Sequence, residues 1–259
     1  MNLKKYFYLW CRTTILSLQS KLSRRGSSVI FILGKFVRFT FYIFSLLVVL
    51  GKSQKIAGFD IKQMINFFLI FNLFDLLGQF FFRGIYWFRG KIISGMFDLS
   101  LIKPVNPLFQ VLITDTDLLD LPLLLMVIAM LIKQNLNISL VNLTLFILVS
   151  IAAFIVVTSL HILIVSIGII TTEVDNTAWI YRDLSLLARV PVDIYLGSVR
   201  AFLTFVLPLA VIFTFPAKAM MGILSWSWII YSLIFSSCIL FFALNFWRFA
   251  LKKYSSASS

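Results

Sequence analysis

The sequence predicts an all-α fold, a polytopic membrane protein with six transmembrane helices, from its composition and its length. Hydrophobic residues make up 61% of the 259 positions and charged residues 13%, whereas soluble domains average about 25% charged residues. The mean hydropathy of +1.00 leaves too little polar surface to cover a globule. Because one helical span needs roughly 20 apolar residues, the chain accommodates about six spans in a single domain, residues 1–259, with the lipid membrane around it.

The basic excess is expected at the membrane interfaces. A net charge of +13 and a pI near 10.0 would suit nucleic-acid binding on a soluble surface. This composition provides no such surface, so no nucleic acid is expected as a partner. Cys11 and Cys238 lie near opposite ends of the chain, which argues against a disulfide framework. Basic residues interrupt the N-terminal stretch, so we predict no removable signal peptide.

Residues 1–27 are predicted to form a cytoplasmic interfacial helix. Apolar residues recur there at helical spacing, namely Leu3, Phe7, Trp10 and Leu18. Lys5 and Arg12 lie on another face of the same helix. A plain basic juxtamembrane tail is the alternative.

The first two spans are predicted at 28–50 and 61–82. Lys35 and Arg38 fall inside the first span, where a charge at the centre costs about 3 kcal/mol. We expect both side chains to reach toward the basic side or to face a protein-lined cavity.

The longest polar connection begins at Arg83 and is predicted to be a loop with short helical pieces, because it is rich in glycine and proline. A third span follows at 118–132. Asp115, Asp117 and Asp120 lie at its entrance, where carboxylates complement the helix dipole. We expect them to form a solvated helix start rather than a catalytic pair.

The second half of the chain is less regular. Residues 139–170 are apolar throughout and predict one long tilted helix, and 171–183 is expected to return to water. Residues 184–216 are apolar but broken by prolines, which predicts a fifth crossing followed by short re-entrant helices. A sixth span at 226–247 has tryptophans at both ends as interface anchors.

The basic residues of the loops predict the orientation. Fourteen of them lie on the side of the two termini and five on the other side. Since cytoplasmic loops carry the excess of Lys and Arg, both termini are expected in the cytoplasm.

Two titratable side chains inside spans are candidates for function by their position alone. Asp75 is followed on the same helix face by Gln79 and Arg83, so a structural ion pair is at least as well supported as a functional carboxylate. His161 has no acidic residue one turn away, and we interpret it as a hydrogen-bonded packing residue.

No cofactor site is predicted. The tripeptide Gly51-Lys52-Ser53 resembles the end of a phosphate-binding loop, but the glycine that such a loop needs five positions earlier is replaced by Leu46. Any ATP hydrolysis must therefore come from another protein. No cluster of His, Cys and carboxylates has the spacing of metal ligands.

Two segments carry a resemblance to a known family. The segment GMFDLSLIKPVN at 95–106 resembles the cytoplasmic loop of type-2 ABC exporter permeases, in the bacterial subgroup of six-span single chains. ARVPVDIY at 188–195, LTFVLP at 203–208 and FPA at 215–217, with Arg200 and Gly222, resemble the segment that precedes the last span in that subgroup.

The resemblance implies a non-catalytic permease subunit of the bacterial cytoplasmic membrane that exports a substrate. A second permease chain, identical or different, would complete the pathway, and a separate ATP-binding cassette ATPase subunit would power it. Residues 83–117 would form the cytoplasmic coupling region and 188–222 a re-entrant or external segment. The candidate coupling residues are Gly95, Asp98, Leu101, Lys103 and Pro104, and the candidate gate residues are Pro191, Tyr195, Arg200, Pro208 and Pro216.

Two other classes of function stay open at this stage. A polytopic enzyme acting on lipids would need clustered carboxylates, His or Cys at the interface, and only the three aspartates at 115–120 approach that. A secondary transporter would show midplane charges and internal repeats. Nothing in the sequence identifies the substrate.

Overall fold

The computed structural model of the chain describes residues 3–23, 25–52, 55, 58–113, 115–171 and 174–255. Most of the 53–57 connection, with Ser53, and Glu173 of the predicted polar return lie outside the described residues. The helices are α1 (Leu3–Leu22), α2 (Arg25–Lys52), α3 (Ile61–Phe82), α4 (Phe88–Ile93), α5 (Met96–Leu101), α6 (Pro107–Ile113), α7 (Leu121–Gln134), α8 (Leu140–Thr171), α9 (Val174–Ser185), α10 (Gly197–Ala201), α11 (Phe215–Met220) and α12 (Trp226–Lys253). Short 3-10 turns connect them at Arg83–Trp87, Leu118–Asp120, Leu186–Arg189 and Val192–Ile194, and π-helical segments at Phe202–Val206 and Ala210–Thr214.

Among the described residues, four helical segments are long and apolar enough to cross a membrane: Gly26–Val49, Ile61–Ile93, Leu140–Thr171 and Trp226–Lys253. A fifth candidate is the pair Gly197–Val206 and Ala210–Met220, which is bent by 80°. The all-α class is thus confirmed, together with the single long helix at α8. The third predicted span corresponds to α7, whose 14 residues are fewer than the roughly 20 that a span requires.

The bundle has two ends, which we call proximal and distal. The proximal end contains both termini: the Tyr6 ring lies 4.7 Å from that of Phe109, and the Tyr254 ring lies 5.1 Å from that of Phe97. At the distal end the start of α3 meets the end of α7, where Asn135 donates a 2.8 Å hydrogen bond to Asn66.

The core lies between α3, α8, α12 and the segment Ala210–Met220. That segment is buried at every position except Lys218, which is half-buried. Small residues allow the helices to approach closely, since a β-carbon added at Gly78 of α3 would lie 3.6 Å from Val157 of α8. Ala152 and Ala153 of α8 are fully buried.

The fifth crossing differs from the expectation for residues 184–216. Between Ser185 and Gly197 the chain forms two 3-10 turns instead of a spanning helix. Pro191 cannot donate a backbone hydrogen bond and restricts the residue before it, and Val190 is accordingly extended, with ψ of 152°. The predicted return to water is also more ordered than expected, because α9 packs on the 83–87 turn, with the Trp179 ring 5.6 Å from that of Tyr86.

Candidate functional site

The proximal end carries a platform built by α4, α5 and α6. Gly95 precedes α5 with φ of 69°, a left-handed conformation that glycine adopts without steric cost. The turn directs Phe97 into the core, where it is fully buried. Its ring lies 5.1 Å from the rings of Phe88 and Tyr254 and 6.5 Å from that of Trp247. The platform is therefore fastened to the last turns of α12.

The predicted coupling residues lie on both sides of α5. Asp98 is half-buried and lies close to Tyr254, near the end of the chain. Burial of the Tyr254 hydroxyl, together with the nearby Asp98 carboxylate, raises the pKa of Tyr254 to about 12. Leu101 packs against the core. Lys103 and Pro104 are exposed. Asp98 and Leu101 thus face inward and support the platform, whereas the exposed surface belongs to other residues.

That surface is an apolar stripe along α5 and the residue that follows it, which we call the α5 stripe: Met96, Leu99 and Ile102. Their side chains are 58%, 54% and 79% exposed. Residues three apart share one helix face, so the three side chains form a continuous patch beside Lys103. The motifs of the sequence do not reveal this stripe. Three large apolar residues spaced three apart in a polar connection indicate such a stripe. Phe97 and Leu101 lie between and beside them, so the sequence shows apolar residues on both faces of the helix and does not indicate which face is exposed.

Helix α1 lies across the segment that follows α5. Lys5 donates to the Pro104 carbonyl at 3.1 Å, and Trp10 donates to Thr116 Oγ1 at 3.1 Å. Only part of the predicted apolar face of α1 packs on the protein, because Trp10 makes this contact whereas Leu3 and Phe7 are 73% and 65% exposed. The tertiary contacts come from residues that are mostly polar, and periodicity alone does not reveal them.

Charged side chains from three parts of the chain meet at the proximal end. Lys21 of α1 lies 3.0 Å from Asp115 and 3.2 Å from Asp117. Arg83, just after α3, has its Nε 3.6 Å from Asp117. Asp117 also accepts a 3.3 Å hydrogen bond from the Leu119 backbone, the capping role that its position at a helix start predicts.

Asp120 completes this network from inside the bundle. It is fully buried and forms an ion pair with Lys35 of α2, and Lys35 also donates to Gln79 at 3.2 Å. The expectation of a solvated helix start is therefore wrong for Asp117 and Asp120. Burying an unpaired charge is costly. A lysine inside one apolar span, Lys35, and a carboxylate at the start of another, Asp120, therefore indicate in the sequence that each needs a partner of opposite charge.

The predicted polar face of α3 is present in a different form. Gln79 donates to Asp75 at 2.9 Å and accepts from Arg83 at 3.4 Å. The carboxylate and the guanidinium are thus joined through an amide instead of a direct ion pair. Asp75 lines a cleft between α2, α3 and the chain at 182–189, and Arg38 lies at the mouth of that cleft.

His161 is a packing residue, as its isolation in the sequence indicates. Its Nδ1 lies 2.7 Å from the Val157 carbonyl. Its ring lies 4.6 Å from the tilted ring of Phe82 and 5.1 Å from that of Tyr181, which it meets edge to face. In the part of the chain that the structure describes, no three metal-binding side chains are grouped.

The candidate gate residues surround Asp193 and the bend near the distal end. Asp193 lies 2.6 Å from Arg200 and 2.7 Å from Lys218. Tyr195 donates to the Leu187 carbonyl at 2.7 Å. The prolines are buried, and they occupy the start of a 3-10 turn, the bend between the two π-helical segments and the first turn of α11: Pro191, Pro208 and Pro216.

A family profile described as ABC-2 family transporter protein matches residues 36–258, which is most of the chain. The chain belongs to this family. The match confirms the resemblance to type-2 ABC permeases, and the permease is a multi-pass membrane protein with a transport role. Neither a curated protein nor a solved structure matches it.

The family assignment changes how the proximal end of the permease is interpreted. Members of this family work with an ATP-binding subunit in general. An ATP-binding subunit is therefore a candidate partner for the exposed apolar patch at the proximal end of the bundle. Catalytic chemistry in the 115–120 carboxylates is not required, because these groups are engaged by Lys21, Lys35 and Arg83.

Proposed function

We propose that this permease is the membrane-spanning subunit of an ATP-driven exporter in the bacterial cytoplasmic membrane. It forms the pathway with a second permease chain, and separate ATP-binding subunits hydrolyse ATP. The proximal end, with residues 1–27, 83–117 and both termini, faces the cytoplasm, and 188–222 forms the re-entrant or external segment. The family match over 36–258, combined with the exposed α5 stripe at the proximal end, carries the proposal.

Six passes across the membrane fit the connectivity of the bundle. We infer that the chain passes between the two ends in α2, α3, α7, α8, the segment 186–220 and α12, taken in the order of the elements. The pass made by α7 is extended at the proximal end by the turn Leu118–Asp120. Within the irregular fifth pass, Ala210–Met220 is enclosed by protein, whereas residues 196–202 are exposed. Enclosure by protein is the condition for non-helical backbone at membrane depth, so we assign that depth to Ala210–Met220.

The α5 stripe is the surface that we assign to the ATP-binding subunit. A loop that transmits force must be firmly attached to the helices behind it, and Phe97 provides the attachment through Trp247 and Tyr254. Apolar side chains that are exposed on an otherwise basic end gain free energy when a partner covers them. Asp98 and Leu101 act as positioning residues behind the stripe, and Lys103 and Pro104 border it.

Helix α1 is the interfacial element of the same proposal. The hydrogen bonds from Lys5 and Trp10 hold α1 against the coupling region, while its apolar side chains at Leu3, Phe7 and Ile15 are more than half exposed. An interfacial helix buries such side chains at the boundary between head groups and acyl chains.

The test is copurification of the ATP-binding subunit with a tagged permease. Leu99→Ser with Ile102→Ser removes two exposed anchors, and we expect a loss of about 2 kcal/mol of association free energy, a roughly 30-fold weaker complex. The matched control is Leu136→Ser, because Leu136 is 74% exposed but lies beyond α7 at the distal end. The control should retain the ATP-binding subunit.

A comparison variant separates docking from folding. Asp98→Ala with Leu101→Ala removes inward-facing groups, so its effect should come with a lower thermal midpoint of the permease, which the stripe variant should keep. Equal recovery of the ATP-binding subunit by the stripe variant and the wild type, at equal permease abundance, would exclude α5 as the docking element.

A further inference from the structure

A cationic cleft lies inside the helical bundle, between α2, α3 and the chain at 182–189. Three arginines line it: Arg38 of α2, Arg182 of α9 and Arg189 of the following turn. Arg38 lies near the middle of the apolar segment Gly26–Val49, where a charged side chain is expensive and marks a site of function by default.

The cleft has little negative charge of its own. Its one carboxylate among the described residues is Asp75, which already accepts a hydrogen bond from Gln79. In the described part of the chain, no carboxylate lies within ion-pair distance of Arg38, Arg182 or Arg189. Like charges repel each other, so the guanidinium groups of Arg38 and Arg189, which line the same cleft, favour an anion beside them.

The wall of the cleft that α2 and α3 form is aromatic. Tyr42 stacks on Phe68 at 4.7 Å, and its hydroxyl donates to the Arg189 carbonyl at 3.2 Å. The Arg189 guanidinium lies over the Tyr42 ring at 5.8 Å, and Phe39 and Phe71 extend the apolar wall. The site therefore combines guanidinium groups with an apolar surface.

We propose that this cleft binds an amphiphile through an anionic head group, a phosphate or a carboxylate, with its apolar part along the aromatic wall. Guanidinium groups match these anions with paired hydrogen bonds. The inference rests on the proposed function and narrows its cargo to anionic amphiphiles. The same head-group chemistry could come from a phospholipid of the bilayer or from a smaller phosphorylated amphiphile.

The test is equilibrium binding of a fluorescent short-chain phosphatidic acid to the purified full-length permease in detergent. We expect Arg38→Gln and Arg189→Gln each to weaken binding at least tenfold, about 1.4 kcal/mol. The matched control is Arg12→Gln, because Arg12 is exposed on α1 and outside the cleft. It should bind within twofold of the wild type. Arg38→Lys should recover part of the affinity, since it keeps the charge without the paired donors.

Competition distinguishes the source of the head group. Displacement by glycerol phosphate supports a site that accepts small phosphorylated molecules, and displacement by phosphatidylglycerol alone supports a bilayer lipid. Equal binding of the matching uncharged diacylglycerol, or an equal loss in Arg12→Gln, would overturn the inference. Binding is measured without the ATP-binding subunit, so its failure is separate from failure of the docking experiment.

Discussion

The ion pair between Lys35 and Asp120 tests the energetics of the proximal network most directly. The Asp120 side chain is fully buried and Lys35 is 19% exposed. Within the described residues, Asp120 Oδ2 has no hydrogen-bond donor, so Lys35 is the direct partner of this carboxylate. The neighbouring cations Lys21 and Arg83 are engaged by Asp117.

The two single replacements should differ in cost. Lys35→Met leaves a buried carboxylate without its partner, which costs about 3–5 kcal/mol. Asp120→Leu leaves Lys35 with Gln79 at 3.2 Å and with the Phe31 ring at 4.6 Å, and the ammonium can also reach toward water. We therefore expect Asp120→Leu to cost less, about 1–3 kcal/mol.

The double variant tests whether the two side chains form a pair. Combining Lys35→Met with Asp120→Leu removes both charges, and an apolar replacement of a buried pair is often neutral or stabilising. We expect the stability of the double variant to return to within about 1 kcal/mol of the wild type. The two single losses together amount to about 4–8 kcal/mol, so the coupling energy should be roughly 3–9 kcal/mol.

The assay is the thermal midpoint in detergent, followed by tryptophan fluorescence. At about 2–4 °C per kcal/mol for a chain of this size, Lys35→Met should lower the midpoint by roughly 6–20 °C, and the double variant by less than about 4 °C. Lys62→Met is the matched control, because Lys62 is exposed at the distal end. A double variant as unstable as the sum of the single ones would refute the pairing.

Three further predictions follow from the geometry. Gly222→Ala should lower the thermal midpoint, because Gly222 has φ of 72° and an added β-carbon would lie 2.6 Å from Asn142. The strained backbone alone costs roughly 1–2 kcal/mol. Gly34→Ala, with open space at its β-carbon, should leave the thermal midpoint unchanged. In a background without native cysteines, an impermeant reagent added to intact cells should label Ile223→Cys and not Lys103→Cys, and the reverse pattern would contradict the proposed orientation. The purified permease alone should hydrolyse no ATP, and turnover that persists after complete removal of the ATP-binding subunit would disprove its non-catalytic role.

Much of the architecture follows from local properties of the sequence. The apolar runs at 61–82 and 139–170 predict α3 and α8 closely, because the preference of a segment for lipid is nearly a sum over its own residues. The sequence also predicts the break in the fifth pass, since proline restricts the backbone conformation of the residue before it as well as its own. Pro191 and Pro208 both lie at breaks in the helical structure.

The coupling region shows where local reasoning fails. Segment 95–106 was identified from its motif, but the outward-facing residues of α5 were not. Apolar side chains occupy both faces of this six-residue helix, so the pattern does not say which face is covered. Phe97 decides which face of α5 points inward, because its ring packs against the rings of Trp247 and Tyr254 near the end of α12.

The sequence by itself determined the class of the protein, the positions of its long helices and the family to which it belongs, because composition, hydropathy and short motifs are local. Only the tertiary structure decided how the charges are used. It pairs Lys35 with Asp120, 85 positions apart, and it gathers Arg38 and Arg189 at one cleft. The sequence marks Lys35 and Asp120 as charges that need partners. Which charges pair depends on which helix faces meet when the bundle closes, and no local pattern contains that information.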